Sequence, residues 1–137
     1  MEQAKFSFVQ CVFTDIELHL QNATDSLTLQ MHPEGFFDMD SKVYTLVMDF
    51  RALGKKEAPD NLIVYVKCVS KFQLGEETVS VDAIPEYFYA NSIAIMFPYM
   101  RALISSLTIQ ANTRPIVLPT MNLTSLGKDL QKNTRVL

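Results

Sequence analysis

A chain of 137 residues with 48% hydrophobic side chains can build one packed core, and it is too apolar to be disordered along most of its length. Its net charge is −3 and its one basic cluster, Lys55 and Lys56, is followed at once by Glu57, which argues against nucleic-acid binding because phosphate contacts need grouped Lys and Arg. Residues 1–5 lead into no apolar signal-type stretch, and the two cysteines, Cys11 and Cys68, show no metal-type spacing, so a reducing cytoplasm is expected.

Alternation of apolar and polar residues dominates the first half of the chain. Phe6, Phe8, Val12, Ile16, Leu18 and Leu20 share one parity, with Asp15, Glu17 and His19 on the other. Val9, Cys11 and Phe13 break that rule, which predicts a first strand covered on both faces near its start. A second strand carries Leu27, Leu29 and Met31 and ends at Pro33. A third carries Tyr44, Leu46, Met48 and Phe50. The fourth carries Leu62, Val64, Val66, Cys68, Phe72 and Leu74, and a shorter alternating run holds Val79, Val81 and Ala83. Breakers at 33–35, 54–60 and Gly75 make the connections short, which favours an antiparallel meander with one covered face. Cys11 and Cys68 read as buried thiols that could be bridged if their strands are neighbours.

A helix must cover that face. Asn91 or Ser92 can cap a segment reaching Gln110, with Ile93, Met96, Phe97, Met100, Leu103, Ile104 and Leu107 at helical spacing and Arg101 as the single charge after Ala90. A helix apolar nearly all round needs burial on more than one side, so Met96, Met100, Leu103, Ile104 and Leu107 are expected to meet a partner subunit. Arg101, Pro98, Ser105 and Ser106 argue against membrane insertion. Pro98 predicts a kink or a late helix start. Pro115 and Pro119 then impose an extended path, on which Ile116, Val117, Leu118, Met121 and Leu123 would be exposed in an isolated domain. A second helix starts at Asn122 or Thr124 and carries Leu123, Leu126 and Leu130, weakened by Gly127, and residues 132–137 read as a frayed tail.

Catalytic constellations are poor. His19 and His32 lie at exposed polar-face positions without a nucleophile beside them, and neither H-E-x-x-H nor a glycine-rich phosphate loop occurs among four glycines. Glu76 and Glu77 would point to opposite faces of a strand. No catalytic residue, metal or cofactor is expected. A hotdog-like small-molecule-binding enzyme also wraps a sheet around an apolar helix, but that fold places the helix early in the chain. Seven methionines and fourteen aromatics (nine Phe, five Tyr) suit a surface that adapts to varied apolar partners.

Three stretches carry a resemblance. Leu74-Gly-Glu-Glu-Thr78 resembles a turn of the SecB export chaperones, and Phe97-Pro-Tyr-Met-Arg101 resembles the F-P-Y-x-R segment in the first helix of that family. Pro115-Ile-Val-Leu-Pro-Thr-Met-Asn122 resembles the family's crossover loop. The resemblance implies an α+β fold over residues 1–137 as one domain. In it, a four-stranded antiparallel sheet carries a long helix and a short C-terminal helix on one face. It further implies an ATP-independent chaperone that holds non-native polypeptides, assembles as a tetramer (a dimer of dimers), and hands clients to the SecA motor. Groove positions would then be Tyr44, Leu46, Ile116, Leu118, Met121, Leu123, Leu126 and Leu130, and motor-docking positions Asp15, Leu74 and Glu76. Several features depart from the family. His19 stands where a further docking acid is expected, residues 79–91 are short, no acidic tail is present and the chain is only mildly acidic. These leave room for a chaperone dedicated to one client, such as an antitoxin.

Overall fold

The computed structural model describes residues 6–54 and 61–137; residues 1–5 and the Lys55–Lys56 cluster lie outside them. The alternating runs form β1 (Phe6–Leu18), β2 (Thr28–Phe37), β3 (Val43–Leu53) and β4 (Leu62–Leu74), followed by α1 (Glu86–Gln110), α2 (Leu123–Lys132) and β5 (Thr134–Val136). The sheet order is β1-β4-β3-β2-β5, with β5 parallel to β2 and every other pair antiparallel. The fold is therefore α+β with the two expected helices, but its sheet has five strands and is mixed.

Sheet geometry resolves the irregular parity of β1. Phe8 faces Phe72 and Gln10 faces Lys71, so Val9 is an extra residue; Phe13 faces Cys68 and Asp15 faces Lys67, so Thr14 is another. Each bulge reverses the parity. Phe6, Phe8, Cys11, Phe13, Ile16 and Leu18 thus all share the side of Leu74, Phe72, Ser70, Cys68, Val66 and Val64. The expected two-sided cover of β1 is corrected, because Val9 and Val12 are exposed.

Pro33 does not end β2. Gly35 donates its N–H outward to the Asn133 carbonyl at 3.1 Å, and the period of two puts the Pro33 nitrogen on that same outer side, where no ladder bond to β3 is lost. The C-terminal segment occupies this edge instead of fraying. Leu137 N–H donates to Phe37 O at 2.9 Å, and the Tyr44 hydroxyl lies 2.6 Å from Thr134 Oγ1. A Cβ at Gly35 would collide with that tyrosine hydroxyl, so the contact requires glycine. The run 79–83 is no strand. Both sides of β4 are already taken, by β1 and β3, and the chain turns at Gly75 and again at Val81–Ala83.

α1 begins at Glu86, after Pro85 at the N-cap, earlier than expected. Ser92 is interior and donates to Tyr89 O at 2.8 Å. Pro98 sits inside the helix, on the exposed stripe that includes Tyr87, Ala94, Ala102 and Ile109. By length and composition α1 could cross a membrane, yet Phe88, Ile93, Met96, Met100 and Ile104 are fully buried in the core against the sheet. Asn122 caps α2, its side chain accepting from Ser125 N–H at 3.2 Å. Gly127 lets α2 approach α1 closely, because a Cβ there would come within 3.0 Å of the Ala90 backbone and side chain. At the centre Phe88 meets Tyr44 at 4.8 Å, Phe6 at 4.9 Å and Phe72 at 5.5 Å, all edge to face. Truncating this hub leaves a cavity shared by the sheet and α1. We expect Phe88→Ala to cost about 3–5 kcal/mol. Urea denaturation would measure it, and a cost below about 1 kcal/mol would contradict the hub.

Candidate functional site

The chain between α1 and α2 crosses the molecule as an extended strap. Three polar residues of α1, spaced four and three apart, hold it. Thr108 Oγ1 accepts from Ile116 N–H at 2.9 Å while donating to α1 carbonyls, Ser105 Oγ donates to Ile116 O at 2.9 Å, and Arg101 Nη2 donates to Pro119 O at 3.4 Å. Thr113 Oγ1 adds a bond to Thr108 O at 2.8 Å. Both backbone groups of Ile116 are thus fixed, and the extended path alternates. Ile116 is half-buried, Val117 is 68% exposed and Leu118 is 2% exposed, inserted into the core.

A second connection meets the strap. To pass from β1 to β2 the chain must cross β4 and β3, roughly 14 Å of sheet. Residues 19–27 do so over the strand ends, where His19 N–H donates to Ile63 O and Asn22 Nδ2 to Leu62 O, each at 2.8 Å. Between this connection and residues 113–117 lies an open cavity of about 380 Å³, lined by Leu20, Leu27, Ile63, Ile116 and Val117 with Thr24, Asp25 and Arg114 among the polar residues. Its size is at the low end for a ligand site, enough for an apolar side chain or two. A second hollow, of about 460 Å³, lies between α1 and α2 at Tyr87, Ala90, Thr124, Gly127 and Lys128.

The expected groove residues are distributed differently. Tyr44, Leu46 and Leu130 have no exposed surface and belong to the core, and Leu118 is almost as deep, so these four assignments are corrected. For Tyr44 the reason is the early start of α1, whose first turns lay Phe88 and Tyr89 over it. Burial also pushes the Tyr44 phenol well above its ordinary pKa. Met121, Leu123 and Leu126 are half-buried beside the core, and Ile116 alone of the expected set lines the cavity under the strap. Leu20, Leu27 and Ile63 were missed as site residues. Their apolar character was visible, but the crossing that assembles them depends on strand order.

The expected subunit-contact residues divide in two. Met96, Met100 and Ile104 are spent inside the subunit and have no area left for a partner, which corrects those three, whereas Leu103 and Leu107 are half-buried. Surface remains open at Tyr87, Tyr99 and Ile109 of α1.

Of the expected docking residues, Leu74 is buried, and Asp15 and Glu76 are exposed. Asp15 pairs with Lys67 on β4, seven residues before Leu74, which puts it roughly 24 Å from that end of the sheet. The row His32, Asp49, Lys67, Asp15 runs across the outer face with mixed charge. In the next row Tyr65 donates to Asp49 Oδ1 at 2.8 Å and carries the Arg51 guanidinium over its ring at 4.8 Å. Desolvation and the bond to Asp49 raise its pKa to about 12. His19 and His32 lie 3.5 Å and 3.7 Å from Glu17 and Glu34 on the surface. Among the described residues no group of three or more His, Cys, Asp or Glu could hold a metal ion.

No family model matches the chain. It is 26% identical over 135 residues to a protein-export protein SecB of Magnetococcus marinus, covering 93% of this chain and 85% of that one. An uncharacterised protein of Methanocaldococcus jannaschii is 30% identical over 92 residues, 67% of this chain; the match spans only 58% of that relative's length. Among solved structures, a SecB-like chaperone of Mycobacterium tuberculosis in complex with an antitoxin peptide superposes with a TM-score of 0.65. It is 12% identical, with 85% of this chain and 91% of that one covered. A protein of unknown function from Streptococcus agalactiae gives a TM-score of 0.51 at 11% identity, over 84% and 97% of the two chains.

The Thr108 hydroxyl is the acceptor for the Ile116 N–H of the strap. We expect Thr108→Val to cost about 1–3 kcal/mol, since it leaves the Ile116 N–H without its acceptor. Hydrogen exchange at that amide should accelerate by an order of magnitude or more. Unchanged protection would contradict the pin.

Proposed function

We propose that this chain, a divergent SecB-like protein, is a chaperone that holds non-native polypeptide segments without nucleotide chemistry, using the hollow beneath its proline strap as an apolar subsite. The observation that carries the reading is the pairing of a rigid strap with open apolar space under it. Leu20, Leu27 and Ile116 stand half-buried around it, packed against the core that includes fully buried Ile63; two hydroxyls of α1 fix the Ile116 backbone, and Val117 projects at the rim. Its similarity to SecB of Magnetococcus marinus over nearly the whole chain supports a chaperone role.

Magnitudes favour several weak sites over one strong site. Burying one or two client side chains contributes roughly 1.5–6 kcal/mol, which alone gives dissociation constants no tighter than tens of micromolar. An unfolded chain touching several subunits gains affinity by multivalency. The reading therefore includes self-assembly, up to a tetramer, through the uncovered face of α1 at Tyr87, Tyr99 and Ile109 together with half-buried Leu103 and Leu107. It stops short of the SecA motor, because Asp15 and Glu76 lie far apart and Lys67 stands beside Asp15.

A second reading has its own support. The Mycobacterium tuberculosis structure is of a SecB-like chaperone with an antitoxin peptide, and a chaperone dedicated to such a client fits the mixed charge of the row His32, Asp49, Lys67 and Asp15 on the outer face. One experiment addresses both. Purified protein should slow aggregation of several unrelated denatured clients at near-stoichiometric ratio; protection of a single client class would favour the dedicated reading, and no protection would refute both. Val117→Asp places a charge at an exposed rim position. It should weaken binding of unfolded peptide roughly tenfold, the loss of one apolar anchor, with the circular dichroism spectrum unchanged.

A further inference from the structure

Cys11 and Cys68 lie on adjacent antiparallel strands. Phe13 faces Cys68 and Cys11 faces Ser70, so the two cysteines are diagonal neighbours on one side of the sheet, and their sulfurs are 3.0 Å apart. Both are free thiols, and Ser70 Oγ is 3.6 Å from Cys68 Sγ. Their exposure differs. Cys68 has no solvent-accessible surface, whereas Cys11, on the outermost strand of the sheet, is partly open.

We propose that Cys11 and Cys68 form a reversible thiol–disulfide site that staples the edge strand β1 to β4, with Cys11 as the thiol attacked from solution and Cys68 as the resolving thiol. The oxidant is a small-molecule disulfide. The Cys11 thiolate attacks one of its sulfurs, the small-molecule S–S bond breaks, and one thiol leaves with the proton Cys11 has lost. Cys68 then gives up its proton and attacks Cys11 Sγ. The mixed disulfide breaks, the second small thiol leaves with that proton, and the Cys11–Cys68 bond remains. Two protein thiols are oxidised and one disulfide is reduced to two thiols. The division of roles follows from the environment. Cys11 is the thiol that solvent reaches, and the contact between the two sulfurs at 3.0 Å holds the Cys11 thiol below its ordinary pKa, while that contact and burial push Cys68 up. The cross-link would close a loop between positions 57 residues apart and pin a strand that, among the described residues, has no neighbour on its outer side.

The test incubates the full-length protein with glutathione disulfide at neutral pH, then maps thiols and disulfides by mass spectrometry. We expect one intramolecular Cys11–Cys68 bond, a rise in Tm on the order of 10 °C that dithiothreitol reverses, and slower hydrogen exchange in β1. Cys68→Ser should stop at a stable glutathione adduct on Cys11, and Cys11→Ser should leave the native protein unmodified. Two free thiols after exhaustive incubation, a persistent adduct on the wild-type protein, or a bond between two chains would each overturn the proposal. Modification of Cys68 in Cys11→Ser at the wild-type rate would overturn the assigned roles.

Discussion

The cover of α1 is the constraint from which the rest follows. A helix of 25 residues with Glu86 and Arg101 as its only charges cannot remain in water on most of its circumference. The sheet takes one side through Ile93, Met96, Met100 and Ile104. α2 takes the N-terminal half, where Gly127 removes the Cβ that would hold the helices apart. The strap takes the C-terminal half, bonded to Arg101, Ser105 and Thr108. A stripe from Tyr87 to Ile109 stays open. Each of the four sides therefore has a distinct chemistry, and among the described residues only the last lacks a cover.

The same arrangement explains how space can persist beneath an apolar loop. A loop held by its own side chains would collapse until the hollow closed, because each buried methylene is worth about 0.8 kcal/mol. Here the backbone of Ile116 is fixed by two hydroxyls from α1, and residues 19–27 are fixed by the ends of β4 through Ile63 O and Leu62 O. Polar bonds set the width, and apolar side chains line it together with Thr24, Asp25 and Arg114. The arrangement suits adaptable capture of side chains better than tight recognition of one ligand.

Much of this was legible in the residues. Alternation located the four long strands, Asn122 marked the start of α2, and the two prolines marked the strap as extended. What could not be read depended on strand order. The bulges at Val9 and Thr14 reverse parity without a local signal, so β1 seemed two-sided. Pro33 is tolerated because β2 has an outer side, which only the sheet order specifies, and that same edge recruits Thr134–Val136 as β5. The helix starts at Glu86, after Pro85 at its N-cap, about one and a half turns ahead of the expected caps Asn91 and Ser92. That earlier start matters at the site. With α1 starting at Glu86, Tyr44 passes from groove to core, and the open space lies instead at the Leu20, Leu27 and Ile63 end of the sheet.

The central claim is that non-native chain enters beneath the strap. Hydrogen-exchange mass spectrometry of the protein, alone and saturated with a permanently unfolded client, tests it most directly. Client binding should slow exchange in residues 19–27 and 113–118 and leave the β2–β3 ladder unaffected. Protection confined to the outer sheet face, with the strap segment exchanging as in the free protein, would contradict the account.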